Sequence, residues 1–189
     1  GAMYRSVTLY FVRKKIDYNE LEKIKNEIQN IKIEFDYIDG IQNTFLNGEN
    51  VENEIRGENI SILVSKYSSI PLVRKYLVSL QKELGKEKKI VVEGRDITTV
   101  VFPDAEIKIF MTADIETRAK RRFEEIKTNN PETTFSDVLN NLKERDTKDS
   151  NRLDSPLRVA EGSEIIDTTH LEIDEQVKKI IDLIENKFS

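Results

Sequence analysis

The chain has 189 residues, of which 38% are apolar and 34% charged, and a formal net charge of −5. That length suits one domain, or a domain carrying one subdomain, and the acidic balance argues against general nucleic-acid binding, which needs a basic surface. Disulfides and thiolate metal sites are excluded because the chain has no cysteine, and its single histidine, His170, cannot build a metal cluster alone. No apolar run approaches the ~20 residues of a membrane span and no signal-peptide pattern opens the chain, so a globular, cytoplasmic protein is expected.

Taken in order, Tyr4 to Lys15 reads as a helix, with Val7, Leu9, Tyr10, Phe11 and Val12 as its apolar residues. Asp17 is the expected N-cap of a second helix, with Leu21, Ile24, Ile28 and Ile31 on one face. The period then changes. Ile31, Ile33, Phe35 and Tyr37 alternate with Lys32, Glu34 and Asp36, the two-residue repeat of a half-buried strand. Asp39-Gly40 and Asn47-Gly48 are hairpin signals, so residues 32–51 are expected to form a small antiparallel sheet.

Helix returns over Ile60 to Leu84, with Pro71 at an internal junction. Lys88 to Val92 and Ile107 to Met111 read as short buried strands, and Glu93-Gly94-Arg95-Asp96 as a strand end and loop between them. Ile115 to Lys127 and Phe135 to Lys148 read as helices joined by Asn129-Asn130-Pro131, and Ile165 to Asp167 as a last strand. Asp174 opens a terminal amphipathic helix with Val177, Ile180, Ile181 and Ile184 expected inward. Strands alternating with helices predict an α/β fold, a parallel sheet flanked by helices. The hairpins interrupt that plan as an insert.

Three clusters carry candidate chemistry. Arg95 and Asp96 follow a predicted parallel strand, at the edge where open α/β sheets bind ligands; a surface ion pair is the alternative. In the run from Arg145 to Arg152, Arg145 and Asp149 share a helix face one turn apart. Guanidinium forks suit phosphate and a carboxylate suits ribose hydroxyls, although a solvated charged helix end explains the run equally well. Arg118, Arg121 and Arg122 repel one another unless an anion sits among them or Glu124 and Glu125 neutralise them.

These stretches together resemble bacterial cytidylate kinases. The resemblance rests on Glu93-Gly94-Arg95-Asp96-Ile97-Thr98-Thr99-Val100-Val101-Phe102-Pro103-Asp104-Ala105, on Glu144 to Arg152 followed by Ser155-Pro156-Leu157, on the opening Gly1-Ala2-Met3-Tyr4-Arg5, and on Ile70-Pro71-Leu72-Val73-Arg74. It covers nearly the whole chain in the family's order. It implies a P-loop nucleoside monophosphate kinase-like α/β fold over residues 1–189, with residues 32–56 as the β insert of the monophosphate-binding region and 118–152 as the lid region and following helix. The implied reaction moves the ATP γ-phosphoryl group to CMP or dCMP, with Mg²⁺ accompanying ATP.

By the same resemblance, Tyr4 belongs to the substrate site, and Arg5, Arg95 and Arg152 attend the CMP phosphate. Ser65, Arg74 and Asp96 would read cytosine; Arg145 and Asp149 would hold the sugar. Arg118, Arg121 and Arg122 would border the lid and neutralise the transferring phosphates, an arginine-rich arrangement that suits a reaction run by positioning and electrostatics. Glu93 stands where many relatives have Asp.

One part of the family pattern is not found. The seven glycines, at 1, 40, 48, 57, 85, 94 and 162, include no G-x-x-x-x-G-K-[ST], the loop whose backbone N–H groups and lysine hold ATP phosphates. The expectation is therefore that the first strand and P-loop helix are absent and that this polypeptide alone has little or no kinase activity. It would then be a CMP-binding module, or an interaction domain that self-associates through an exposed sheet edge.

Overall fold

The apolar residues of the first helix decide where the first core forms. In the computed structural model, which describes residues 1–86, 89–128, 130–151 and 155–188, α1 spans Ala2–Arg13 and buries Met3, Val7, Leu9, Tyr10 and Phe11. Ser6 and Thr8 are buried on the same helix without cost in hydrogen bonds, because their hydroxyls donate to the carbonyls of Ala2 and Tyr4 at 3.0 and 2.8 Å. Around α1 lie α2 (Leu21–Glu27), α3 (Glu58–Ser68) and α4 (Pro71–Leu84), with Pro71 at the first helical position, where its missing N–H costs nothing. Phe11 stacks on Tyr67 with ring centroids 5.7 Å apart, and each such fully buried side chain contributes about 1.5–3 kcal/mol.

The expected small sheet is present. Strands β1 (Ile33–Ile38), β2 (Ile41–Leu46) and β3 (Glu49–Asn50) pair antiparallel in that order. Both connections are two-residue turns with positive φ at each centre, at Asp39 (52°) and Gly40 (77°) and at Asn47 (51°) and Gly48 (83°), the geometry that matches strand twist. Arg13, at the end of α1, forks onto Glu49 at 2.7 and 2.9 Å and reaches Glu54, fastening the sheet to the helix. Helix α2 differs in detail from expectation. Its N-cap is Glu20, while Asp17 accepts from the Asn19 amide at 2.9 Å in the preceding turn. Ile28–Asn30 tightens to a 3₁₀ turn, so Ile31 leaves the helix extended.

These elements make up one unit, Gly1–Gly94; the second is Arg95–Ser189. In the second, β4 (Ile109–Thr112) and β5 (Glu164–Asp167) pair in parallel, Ile109 opposite Glu164 and Thr112 opposite Asp167. Helices α5 (Ile115–Lys127) and α6 (Phe135–Asn151) pack together, with Phe123 edge-on to Phe135 at 6.2 Å and Ala119 fully buried. Helix α7 (Ile173–Phe188) ends the chain. The fold is thus mixed α/β, with a parallel pair and a separate antiparallel sheet.

Two expectations fail. The strand over 88–92 does not form across its described part: residues 89–94 belong to no ladder and Val91 is 100% exposed. A strand lasts only where a neighbour takes its hydrogen bonds, and no described segment pairs with this one; Lys88 lies outside the described residues. The terminal helix does not turn its stripe inward either. It buries no residue, and Val177, Ile181 and Ile184 are exposed, because a stripe at helical spacing is buried only where an apolar surface meets it.

Candidate functional site

In the first unit the N-terminal turns of α1 and α4 carry the relevant side chains. The Arg5 amide donates to the Gly1 carbonyl (3.2 Å), setting Tyr4 and Arg5 in the first turn of α1. Arg74, whose amide donates to Ile70 at 3.1 Å, is only 4% exposed. Its guanidinium lies 5.9 Å from the Tyr4 ring centroid and its Nη1 donates to the Ser68 carbonyl at 3.4 Å. A buried cation needs such company. So Tyr4 and Arg74, seventy positions apart, come together. Ser65 is exposed on α3, its hydroxyl donating to the Ile62 carbonyl at 3.4 Å.

In the second unit the two signature stretches meet. Arg95 Nε lies 3.2 Å from Asp149 Oδ2, and the Asp149 side chain is only 13% exposed. Beside Arg95, Asp96 is buried and its carbonyl accepts from the amides of Val100 (2.9 Å) and Val101 (3.3 Å), opening a π-helical turn over Ile97–Val101. Turns of this kind are found frequently at functional sites. A second pair links α5 to α6: Arg118 Nη1 is 2.7 Å from Asp146 Oδ2, and Arg118 Nε donates to the Ala113 carbonyl at 3.0 Å. Asp146 and Asp149, three apart on α6, share a face.

The N-terminus of α5 is defined by Asp114, whose carboxylate accepts from the Thr117 amide at 2.8 Å. The Thr117 side chain first, and then that amide hydrogen bond, hold the Asp114 carboxyl below its ordinary range, as expected for an ionised N-cap. The turn is tied to the loop after β5 by the Asp114 amide donating to Thr169 Oγ1 at 3.0 Å.

The three arginines of α5 part company. Arg118 faces Asp146, and Arg122 pairs with Glu125 at 2.8 Å on an exposed surface. Arg121 is taken up by the protein: it donates to the Thr168 hydroxyl (3.2 Å) and to the carbonyls of Thr168 (2.7 Å) and Leu171 (3.1 Å). It therefore holds the loop after β5, a role invisible in the sequence because its acceptors, two of them backbone oxygens, lie about fifty residues away. Arg145 is exposed on α6. Arg152 lies outside the described residues. Asp146 was not singled out from the sequence; its three-residue spacing from Asp149 was the available signal. Among the described residues no three carboxylate or imidazole groups converge as a metal site, and no helix is long and apolar enough to cross a membrane.

The cytidylate kinase family model matches residues 1–186. The chain belongs to the cytidylate kinase family. That family comprises nucleoside monophosphate kinases, which are transferases. Among similar curated proteins, a cytidylate kinase of Bacteroides fragilis is 48% identical over 181 residues, spanning 93% of this chain and 79% of that protein. Cytidylate kinases of Flavobacterium psychrophilum and Thermosipho melanesiensis are each 44% identical, spanning 98% and 99% of this chain and 84% and 83% of theirs. Within the family, the resemblance carried by the stretches around Arg95 and Arg145 concerns residues that the second unit brings into contact.

Proposed function

We propose that the chain carries the CMP-recognising machinery of a cytidylate kinase, whose reaction transfers the ATP γ-phosphoryl group to CMP or dCMP in the cytoplasm. An oxygen of the CMP phosphate attacks the γ-phosphorus, the bond to the ADP oxygen breaks, and CDP leaves. The observation that carries this reading is the Arg95–Asp149 contact. It joins a phosphate-type donor to a sugar-type acceptor from two stretches that sequence resemblance alone had linked. Arg5, Arg95 and Arg152 neutralise the CMP phosphate; Ser65, Arg74 and Asp96 read cytosine, with Tyr4 beside Arg74; Arg145 and Asp149 hold the sugar. Arg118 and Arg122 stabilise charge on the transferring phosphoryl group. Mg²⁺ enters with the ATP phosphates, since this ion is usually held by substrate phosphates and a carboxylate or two rather than by an all-protein cage.

The 189 residues contain no G-x-x-x-x-G-K-[ST], so in this proposal the polypeptide by itself binds CMP and transfers phosphoryl groups slowly or not at all. Calorimetric titration with CMP and no ATP tests the first part. Micromolar binding is expected, weakened on the order of tenfold in Arg95→Ala, while a phosphotransfer assay reads the second. A wild-type chain that ignores CMP sinks the reading.

A second reading rests on the exposure of Val91 and of the α7 stripe: that the chain self-associates through unpaired backbone and apolar surface. Sedimentation velocity is then expected to show mass rising with concentration; a single invariant monomer rules it out.

A further inference from the structure

Arg118 is held from two directions by groups that are not themselves candidates for touching nucleotide. Its Nε donates to the Ala113 carbonyl at 3.0 Å. Ala113 is the buried residue between β4 and the Asp114 cap of α5, at the carboxyl edge of the parallel pair, where ligands of open α/β sheets bind. On the other side, Nη1 meets Asp146 of α6 at 2.7 Å. Two anchors at different nitrogens fix both the position and the plane of the guanidinium, which one contact would leave free to turn. Among the described residues, Nη2 has no protein acceptor, so the planar fork keeps an open edge.

We propose that Asp146 is a positioning residue, which sets the Arg118 guanidinium so that its open edge receives the phosphoryl group being transferred. This rests on the reading above, in which Arg118 stabilises that group. An exposed ion pair would be worth little, but here both side chains are about two-thirds covered, at 34% and 28% exposure, and the partner is geometrically over-determined. Pre-organisation of a long, rotamer-rich arginine is the kind of contribution that speeds charge-stabilising chemistry. The opposite sign is physically conceivable, because a carboxylate also competes with phosphate for the same cation. The two roles predict opposite responses to removing it.

CDP carries the transferred phosphoryl group and CMP does not, so the ratio of their affinities reads the grip on that group alone. Calorimetry on the full chain is performed with both nucleotides for wild type, Asp146→Ala, Asp146→Asn, Arg118→Ala and the Asp146→Ala/Arg118→Ala pair, with thermal melting as the folding control. Asp146→Ala is expected to weaken CDP on the order of tenfold and to change CMP less than about twofold. Asp146→Asn, which keeps an acceptor oxygen, is expected to recover most of the loss. The double variant is expected to be no worse than Arg118→Ala, since Asp146 acts only through Arg118. Tighter CDP binding by both Asp146 variants makes Asp146 a competitor and overturns the proposal, as does an equal loss for CMP and CDP or additive losses in the double variant. A wild-type chain that binds neither nucleotide overturns the underlying reading and this one together, whereas CMP binding with an unchanged CDP ratio overturns this one alone.

Discussion

Tyr10 shows how a residue remote from the candidate chemistry holds the helix that bears part of it. It is buried on α1, and its hydroxyl donates to Glu27 Oε2 of α2 at 2.7 Å. Burial first, and then the hydrogen bond to Glu27, pushes its pKa up to about 12; the same bond, ahead of one from Asn30, holds the Glu27 carboxyl below its ordinary range. The signs follow separately. For Tyr10 the raised pKa means stability fully present below the unfolded value of about 10 and lost as pH climbs toward about 12. For Glu27 the lowered pKa means stability present above the ordinary glutamate range and lost as pH falls through the folded value. Ultraviolet titration of tyrosinate is expected to show one tyrosine ionising near pH 12 that disappears in Tyr10→Phe, and melting temperature in that variant is expected to lose part of its alkaline dependence. If Tyr10→Phe removes a group that titrates near pH 10, the buried pairing is not what fixes α1 to α2.

At the scale of elements, local chemistry was legible and pairing was not. The β1–β2–β3 sheet follows from alternation and from two turn dipeptides whose glycines sit at φ of 77° and 83°, conditions met within a few residues. The first helix, the break at Pro71 and the separate strands β4 and β5 were readable for the same reason. Ile90, Val91 and Val92 looked like a buried strand because apolar β-branched runs usually are, yet a strand is defined by a neighbour that the run itself cannot supply. The α7 stripe failed likewise, since period records amphipathicity and not what covers it. In the candidate site, resemblance picked out Arg95 and Asp149, which the second unit brings together. It gave no hint that Arg121 serves the loop after β5, nor that Asp146 faces Arg118, because those contacts depend on how α5, α6 and β5 are packed.

For the whole molecule, the division into Gly1–Gly94 and Arg95–Ser189 falls within the Glu93–Ala105 stretch. The residues just before it, 89–94, are exposed and outside any helix or ladder, and Lys89 has a φ of 58°. A protease needs a segment it can draw into an extended strand, and exposed backbone with few hydrogen bonds supplies one. Lys14 and Lys15 also lie at a turn, but that turn is fixed by the amides of Lys14, Lys15 and Ile16 donating to Tyr10, Val12 and Phe11, and by the Tyr67 hydroxyl on the Ile16 carbonyl at 2.7 Å. Brief trypsin treatment is therefore expected to cut after Lys89 before the other described lysines, giving two fragments that N-terminal sequencing identifies by a new start at Ile90. The proposed CMP ligands lie on both sides of that bond in sequence, so CMP is expected to slow this cut several-fold while leaving the rate on an unrelated substrate unchanged. Cleavage at Lys89 that proceeds at the same rate with saturating CMP would mean that the nucleotide engages residues from one side only, and the assignment of Arg5, Ser65 and Arg74 to the same ligand as Arg95, Asp96 and Arg145 would have to be withdrawn.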